Sequence, residues 1–510
     1  MPTSVADSAF PAPVVVGIDV ATAAVRVVCA EADGRITAEG NAPLPQPVRG
    51  PRGKSEQDAR AWWPAVATAL RQATSQLPGR GREALSVAVS ATSGTIVLAD
   101  SAGEPLGPAL MYDDRRAAEL NAEAQRQGAE RWKRVGLSVG PTAALGRVAW
   151  FAQLMGGSTS AAAQEGYPRL HDVRADRLHV LHTPDLLGRH LTGGPVATDW
   201  SHALKTGYDP RTEEWPTEVF DALGVPAAWL PLVHSPGTEV GVVCPSAAAQ
   251  TGLPVGCSVR LGMTDGCAGQ IATGAVRPGE FVGVLGTTYV LKGVTRELVT
   301  DPLGAFYSHR HPDGWWLPGG ASNTGGEALA DTSPDQLATL DAAASAHGPA
   351  SHIRYPLRRD GERFPFVSDE ARGFTFGAPG GEADRHRAAL EGVAFLERLA
   401  VDRVRTLGIT VEPPLYAAGG GSRSHLWNRI RATTLDMPLQ VIGRAETAFG
   451  AALVAAVGTF HADLAESAGA MVRPGHVVEP VTAERDALQE SYDRFTAELR
   501  ARSWLAAEHP

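Results

Sequence analysis

Lysine is scarce in this 510-residue chain, which has only Lys54, Lys133, Lys205 and Lys292. Arginine carries most of the positive charge, the net charge is -10, and no stretch forms a basic stripe. That argues against a nucleic-acid footprint. The four cysteines, Cys29, Cys244, Cys257 and Cys267, show no C-x-x-C spacing. They fit free thiols in a reducing compartment, so a cytoplasmic protein is expected. No uninterrupted apolar run is long enough to span a bilayer, which leaves no membrane partner to expect. Residues 1–13 lack a basic start and an apolar core, so they read as a disordered tail and not a signal peptide. His309 and His311 have no Cys near them in sequence, and no metal site is read there.

What is present is a soluble enzyme's composition, 44% hydrophobic and 20% charged, in a chain too long for one core. Two large domains are expected. The most informative stretch runs from Gly262 to Lys292. Gly262-Met263-Thr264-Asp265-Gly266 is a turn holding one acid among small residues. A helix and a turn follow, then an apolar strand ending in Gly286-Thr287-Thr288. A glycine followed by two hydroxyl residues suits a phosphate turn, because its amides point at an anion and threonine adds donors. An acid beside a phosphate cradle suggests phosphoryl transfer to an alcohol with Asp265 as base. Read singly, each piece is more readily an ordinary turn; the rest of the chain reverses that.

Val14-Val15-Val16-Gly17-Ile18-Asp19 is an apolar run delivering an acid to a strand end. Ala21-Thr22-Ala23-Ala24 turns, and Val25 to Ala30 returns as a second strand. This reads as a phosphate hairpin in which Thr22 donates to phosphate and Asp19 holds Mg²⁺ directly or through water; alone, it reads as a plain hairpin. Leu85 to Ser90 is a strand leading to the small polar loop Thr92-Ser93-Gly94-Thr95, which suits a sugar site. Tyr112-Asp113-Asp114-Arg115-Arg116 offers carboxylates that accept and a guanidinium that donates. Thr198-Asp199-Trp200-Ser201-His202 has a helix-capping pattern. Tyr355 to Phe366 reads as irregular. Arg385 to Leu407 is a long helix keeping one apolar stripe, with Gly408 as its stop. Gly419-Gly420-Gly421 lies between a strand and a helix over 424–436, which allows a flat ligand close to a helix N-terminus.

The chain resembles the FGGY family of carbohydrate kinases, of the actin-like, sugar kinase and Hsp70 superfamily, from Val14 to the last helix. The main resemblance lies in Gly419-Gly420-Gly421-Ser422-Arg423-Ser424 with Trp427, Pro438, Glu446 and Gly450-Ala451-Ala452. Gln57-Asp58, Trp62-Trp63, Tyr112-x-Asp114-x-Arg116, Leu191-Thr192-Gly193, Thr198-Asp199 and Gly262-x-x-Asp265-Gly266 fall in the family's order. The resemblance implies an α/β, two-domain actin-like (ribonuclease H-like) ATPase fold, with mixed sheets flanked by helices and an interdomain cleft. It divides the chain into a sugar-binding domain over 14–261 and a nucleotide-binding domain over 262–510. It implies ATP-dependent phosphorylation of a sugar hydroxyl, with Mg²⁺, in a family where homodimers are common. By position, Asp265 is the catalytic base, and Thr92, Ser93, Asp114 and Arg116 lie near the sugar with it. Asp19, Thr22 and Arg26 fall on the first phosphate hairpin, and Gly286, Thr287 and Thr288 on the second. Gly320 and Thr324 fall on the next nucleotide segment, and Gly420, Gly421 and His425 on the adenosine segment.

Two departures stand out. The family's first hairpin is usually Asp-x-Gly-Thr-(Ser/Thr), whereas this chain has Asp19-Val20-Ala21-Thr22-Ala23. Ala21 limits backbone freedom and Ala23 lacks a hydroxyl, which is expected to weaken ATP binding. Where xylulokinases show Gln-Met-His, this chain has Thr92-Ser93-Gly94, closer to the D-ribulokinase-like branch. A ketopentose, D-ribulose or D-xylulose, is the expected substrate. An actin-like nucleotide scaffold or a degenerate sugar-binding regulator is the alternative that Ala21 and Ala23 keep open.

Overall fold

A computed structural model describes residues 12–505, so the tail expected at 1–13 lies outside the described residues but for Ala12 and Pro13. The chain divides into two compact units. One holds Met1–Trp132, Val139–Ala272 and Glu446–Val472; the other holds Lys133–Ser138, Thr273–Ala445 and Arg473–Pro510. The first unit thus runs past 261 to Ala272 and takes back a segment from late in the chain.

The first unit is built on a six-stranded sheet of β1 (Val14–Val20), β2 (Ala24–Ala30), β3 (Ile36–Pro43), β4 (Ala84–Ala91), β5 (Glu239–Val242) and β6 (Ser258–Thr264). Its order is β5-β6-β4-β1-β2-β3. β1, β2 and β3 pair antiparallel, while β4 runs parallel to both β1 and β6. Every residue of β1 is buried, as its continuous apolar run requires of a strand covered on both faces. Val16 and Ile18 share a core with Trp62, Val66 and Leu70 of the helix Trp62–Gln76. On the opposite face, the helix Thr447–Ala456 lies so close that a Cβ on Gly17 would sit 1.9 Å from the Ala448 carbonyl oxygen. The same helix meets the helix Asp265–Ile271, where a Cβ on Gly450 would sit 1.9 Å from the Ala268 carbonyl oxygen. Its run of glycine and alanine is therefore a packing requirement.

The second unit holds a seven-stranded sheet of β7 (Phe281–Leu285), β8 (Tyr289–Gly293), β9 (Tyr307–Arg310), β10 (Trp316–Ala321), β11 (Leu415–Ala418), β12 (Leu439–Ile442) and β13 (Pro474–Val478). Its order is β9-β10-β8-β7-β11-β12-β13. β7 and β8 form an antiparallel hairpin, and β11 and β12 run parallel beside β7. This repeats the first unit's pattern of hairpin then parallel strands, so the β1–β2 and β7–β8 turns are topological equivalents. The long helix spans Glu382–Thr406 and buries Ala389, Val393, Leu396, Ala400 and Val404. Gly408 follows it at φ +79°, the left-handed conformation that ends a helix.

Candidate active site

In parallel sheets, ligands gather at the carboxyl ends of strands. In the first unit, the adjacent parallel strands β1, β4 and β6 end at Asp19–Val20, Ala91 and Thr264, in register. They deliver Asp19, the Thr92 loop and Asp265 to one edge. Asp265 is half-buried and opens its helix, its Oδ1 accepting the Gly266 amide at 2.6 Å.

Asp19 is buried, and one oxygen accepts from Arg26 Nη1 at 3.1 Å. Its Oδ1 is buried with no partner. Burial pushes its carboxyl up to about 6; the Arg26 charge opposes the rise and the Asp265 charge adds to it. A buried carboxylate oxygen left unpaired, close enough to feel a second acid, has the chemistry of a divalent-cation ligand. The donor set fits Mg²⁺, which binds through one or two carboxylates, water and phosphate oxygens. Among the described residues no group of three or more His, Cys, Asp or Glu side chains forms a protein-only metal cage.

The β1–β2 turn is shaped for an anion. The Ala21 amide closes it onto the Ala24 carbonyl, and the Thr22 amide and hydroxyl stay uncommitted among the described residues. Gln57, buried, holds the turn from behind: its Nε2 donates to the carbonyls of Thr22 (2.9 Å) and Pro45 (2.6 Å). The equivalent β7–β8 turn matches it. The Gly286 amide bonds the Thr288 carbonyl, and the Thr287 and Thr288 amides and hydroxyls have no partner among the described residues. Gly420 is exposed at the end of β11, and Gly421 packs on Leu285 at the end of β7. His425 is exposed and opens the helix His425–Leu435, which Ser424 caps by accepting the Trp427 amide at 3.0 Å.

Other expected site residues are placed differently. Thr324 is fully buried: its amide donates to Ser322 Oγ and its hydroxyl to Glu362 Oε2 at 3.0 Å, so it has no donor left for a nucleotide. Gly320 is buried against the Phe364 ring. Asp114 is fully buried and accepts from the Ser55 amide (2.7 Å) and from Arg116 Nη2 (2.7 Å). Arg116 is shared with Glu56 Oε1 at 2.7 Å and lies over the Trp150 ring at 4.9 Å. This pair ties the loop at 114 to the strand edge behind it. In the Thr92 loop, Thr92 Oγ1 bonds Thr95 Oγ1 at 2.7 Å, while Ser93 Oγ is buried and unpartnered. Gly94 adopts φ +88°, and a Cβ there would meet Lys205 at 3.4 Å and Arg147 Nη2 at 3.5 Å. Arg147 is buried and bonds only carbonyls, including Leu110 and Thr142 at 3.0 Å each; burial pushes it down to about 10.

The capping pattern at Thr198 proves to be a support for this edge. Asp199 is fully buried; its Oδ1 accepts the Ser201 amide (2.8 Å) and hydroxyl (2.5 Å), and its Oδ2 meets His202 Nδ1 at 2.5 Å. His202 Nε2 faces the Ala91 carbonyl at 3.3 Å, one residue before the Thr92 loop. Both ring nitrogens face acceptors, which suits the imidazolium form. Burial opposes the His202 charge, and the Asp199 carboxylate outweighs it, holding the imidazole above its ordinary value. Burial would raise Asp199, and the His202 charge and hydrogen bond outweigh it, holding the carboxyl low.

A mixed-sheet, two-domain α/β chain with paired phosphate-type hairpins has the actin-like ATPase fold of sugar kinases. Residues 14–272 match the FGGY family of carbohydrate kinases, N-terminal domain, and residues 279–459 match its C-terminal domain. The chain is 30% identical over 502 residues to a xylulose kinase of Streptomyces rubiginosus, covering 96% of this chain and 97% of that one. It is 26% identical over 496 residues to an autoinducer-2 kinase of Photorhabdus laumondii, covering 91% and 89%. The crystal structure of a xylulose kinase from Rhodospirillum rubrum superposes with a TM-score of 0.83 at 26% identity, covering 96% of this chain and 98% of that one. The chain belongs to the FGGY family of carbohydrate kinases, and it is an enzyme that phosphorylates a sugar with ATP.

Proposed function

We propose that this kinase phosphorylates a ketopentose, D-ribulose or D-xylulose, with Asp265 as general base. The observation that carries the reading is the shared edge of β1, β4 and β6. It brings the acid, the small polar loop and the first phosphate turn together on one unit. The xylulose kinase relatives support the substrate class. Asp265 takes the proton of the sugar hydroxyl as that oxygen attacks the γ-phosphorus; the bond to the β–γ bridging oxygen breaks and ADP leaves. The free amide and hydroxyl of Thr22 are donors for the developing phosphoryl charge. Asp19 would hold Mg²⁺, which when bound neutralises phosphate charge. Ser93 Oγ, buried and unpartnered, is the loop's available donor for a sugar hydroxyl, while Gly94 offers none.

The test is a coupled assay of ADP release on D-ribulose, L-ribulose, D-xylulose, ribitol and glycerol. D-Ribulose is expected to show a kcat/KM at least equal to that of D-xylulose. An exclusive preference for D-xylulose would refute the specificity assigned to the loop, and no turnover on any ketopentose would refute the substrate class.

A further inference from the structure

Glu362 lies in the stretch whose sequence reads as irregular, yet its carboxylate is the most heavily bonded acid of the second unit's nucleotide side. It is buried, at 2% exposure. Oε1 accepts the amides of Asn323 (2.6 Å) and Arg363 (2.9 Å). Oε2 accepts the hydroxyls of Ser322 (2.9 Å), Thr324 (3.0 Å) and Tyr355 (2.8 Å). No cation pairs with it among the described residues, so these five donors alone take the place of its hydration.

Three of the five donors belong to Ser322-Asn323-Thr324, and that turn is bonded directly to the β7–β8 phosphate turn. The Tyr289 amide donates to the Thr324 carbonyl (2.8 Å) and the Ser322 amide to the Tyr289 carbonyl (2.9 Å). The Gly326 amide reaches the Gly286 carbonyl (2.9 Å) and the Glu327 amide the Thr287 carbonyl (3.0 Å). The two turns touch backbone to backbone: a Cβ on Gly325 would lie 2.4 Å from the Thr288 carbonyl carbon, and one on Gly326 2.4 Å from the Gly286 oxygen. A shift of 322–326 therefore moves 286–289 with it.

We propose that Glu362 is a positioning residue for the nucleotide: it fixes the turn 322–326, which in turn aims the free amides of Thr287 and Thr288. This rests on the reading of Gly286–Thr288 as a phosphate turn. Thr324, which resembles a nucleotide ligand by position, acts instead as one of the pegs by which Glu362 holds the turn.

The experiment is steady-state kinetics of purified variants with either substrate varied, beside melting curves. Glu362→Gln keeps the shape but turns an acceptor oxygen into a donor facing three hydroxyls; the KM for ATP is expected to rise about tenfold, with the sugar KM unchanged. Ser322→Ala, which removes one peg from the turn itself, should raise the KM for ATP in the same direction and serves if Glu362→Gln does not fold. Tyr355→Phe removes one bond from the same carboxylate oxygen but touches nothing in the turn; it should lower the melting temperature and leave the KM for ATP in place. An unchanged KM for ATP in both Glu362→Gln and Ser322→Ala, or an equal rise in Tyr355→Phe, would overturn the proposal. Gly286→Ala separates it from the reading beneath: the new Cβ has only the Thr288 oxygen at 3.7 Å near it, so an ATP phosphate is what it would meet. A normal KM for ATP in Gly286→Ala would refute the phosphate turn; a raised one with normal Glu362→Gln would refute the positioning role alone.

Discussion

The hydroxyl of Ser201 accepts the amide proton of Thr264 at 2.9 Å, one residue before Asp265. Since that hydroxyl donates to Asp199, the backbone carrying the candidate base is anchored to a buried carboxylate that also orients His202 toward the Ala91 carbonyl. The positions of Asp265 and of the Thr92 loop therefore share one support.

Asp265→Asn keeps size and removes basicity. Sugar-dependent ADP formation is expected to fall by about 10²–10⁴-fold, the usual worth of a general base. The side chain is half-buried at a helix start, so the melting temperature should barely move. Turnover near that of the unaltered enzyme would remove Asp265 from the mechanism.

The Asp199–His202 pair predicts a pH profile of stability. The Asp199 carboxyl is held below its ordinary value, so its contribution is present above the unfolded value and is lost as pH falls through the lower folded one. The His202 imidazole is held above 6.5, so its contribution is complete below 6.5 and is lost as pH rises through the higher folded value. Asp185 and Asp265 reinforce the imidazolium, and the His182 ring lies 6.1 Å away. Melting temperatures should decline on the alkaline side above 6.5, and His202→Gln should flatten that decline. An unaltered alkaline limb in the variant would contradict the assignment of charge.

Asp19 runs the other way. Its carboxyl is raised from 3.8 to about 6, so ionising it costs the fold stability as pH climbs through that interval. A cation bound there offsets the cost only when the group is ionised. Millimolar Mg²⁺ should raise the melting temperature more at pH 7.5 than at pH 5, and EDTA should reverse it. Asp19→Asn should abolish the difference; an equal Mg²⁺ effect in that variant would place the cation elsewhere.

The first hairpin gives a gain-of-function test. Ala23 is exposed in the turn beside the free Thr22 amide. Ala23→Thr adds a hydroxyl there, worth about 0.5–1.5 kcal/mol if it reaches a phosphate. The KM for ATP should fall by about two- to tenfold; a constant or higher KM would show that phosphate does not pass that side of the turn.

Much of this was legible because the signals are local. The apolar run ending at Asp19, the turn before Asp265 and the stripe from Ala389 to Val404 each declare an element within a few residues. The residues that needed the structure are those whose partners are distant in sequence. Thr324 carries a ligand's residue type in a ligand's place, and only the Glu362 carboxylate, 38 positions on, shows that its hydroxyl is taken. Asp114 and Arg116 read as hydroxyl readers, but the Ser55 amide, 59 positions back, and Glu56 make them a buried brace. The capping pattern at Thr198–His202 is a cap, with Asp199 accepting the Ser201 and His202 amides, but the further link from Ser201 to Thr264 spans 63 positions. Gly94 stands where xylulokinases show His, and its positive φ, which the sequence does not declare, makes it a conformational requirement.

The helix Thr447–Ala456 meets β1 at Gly17 and the Asp265 helix at Gly450 backbone to backbone. Most packed elements adjust their spacing through the sizes of the side chains between them. At these two contacts that adjustment is missing, so main-chain thickness helps to set the separation of Asp19 and Asp265. A single methyl in either seam would act as a shim, prising one carboxylate from the other while leaving every residue of the chemistry in place. Such a variant would keep both acids and lose their common alignment on a substrate.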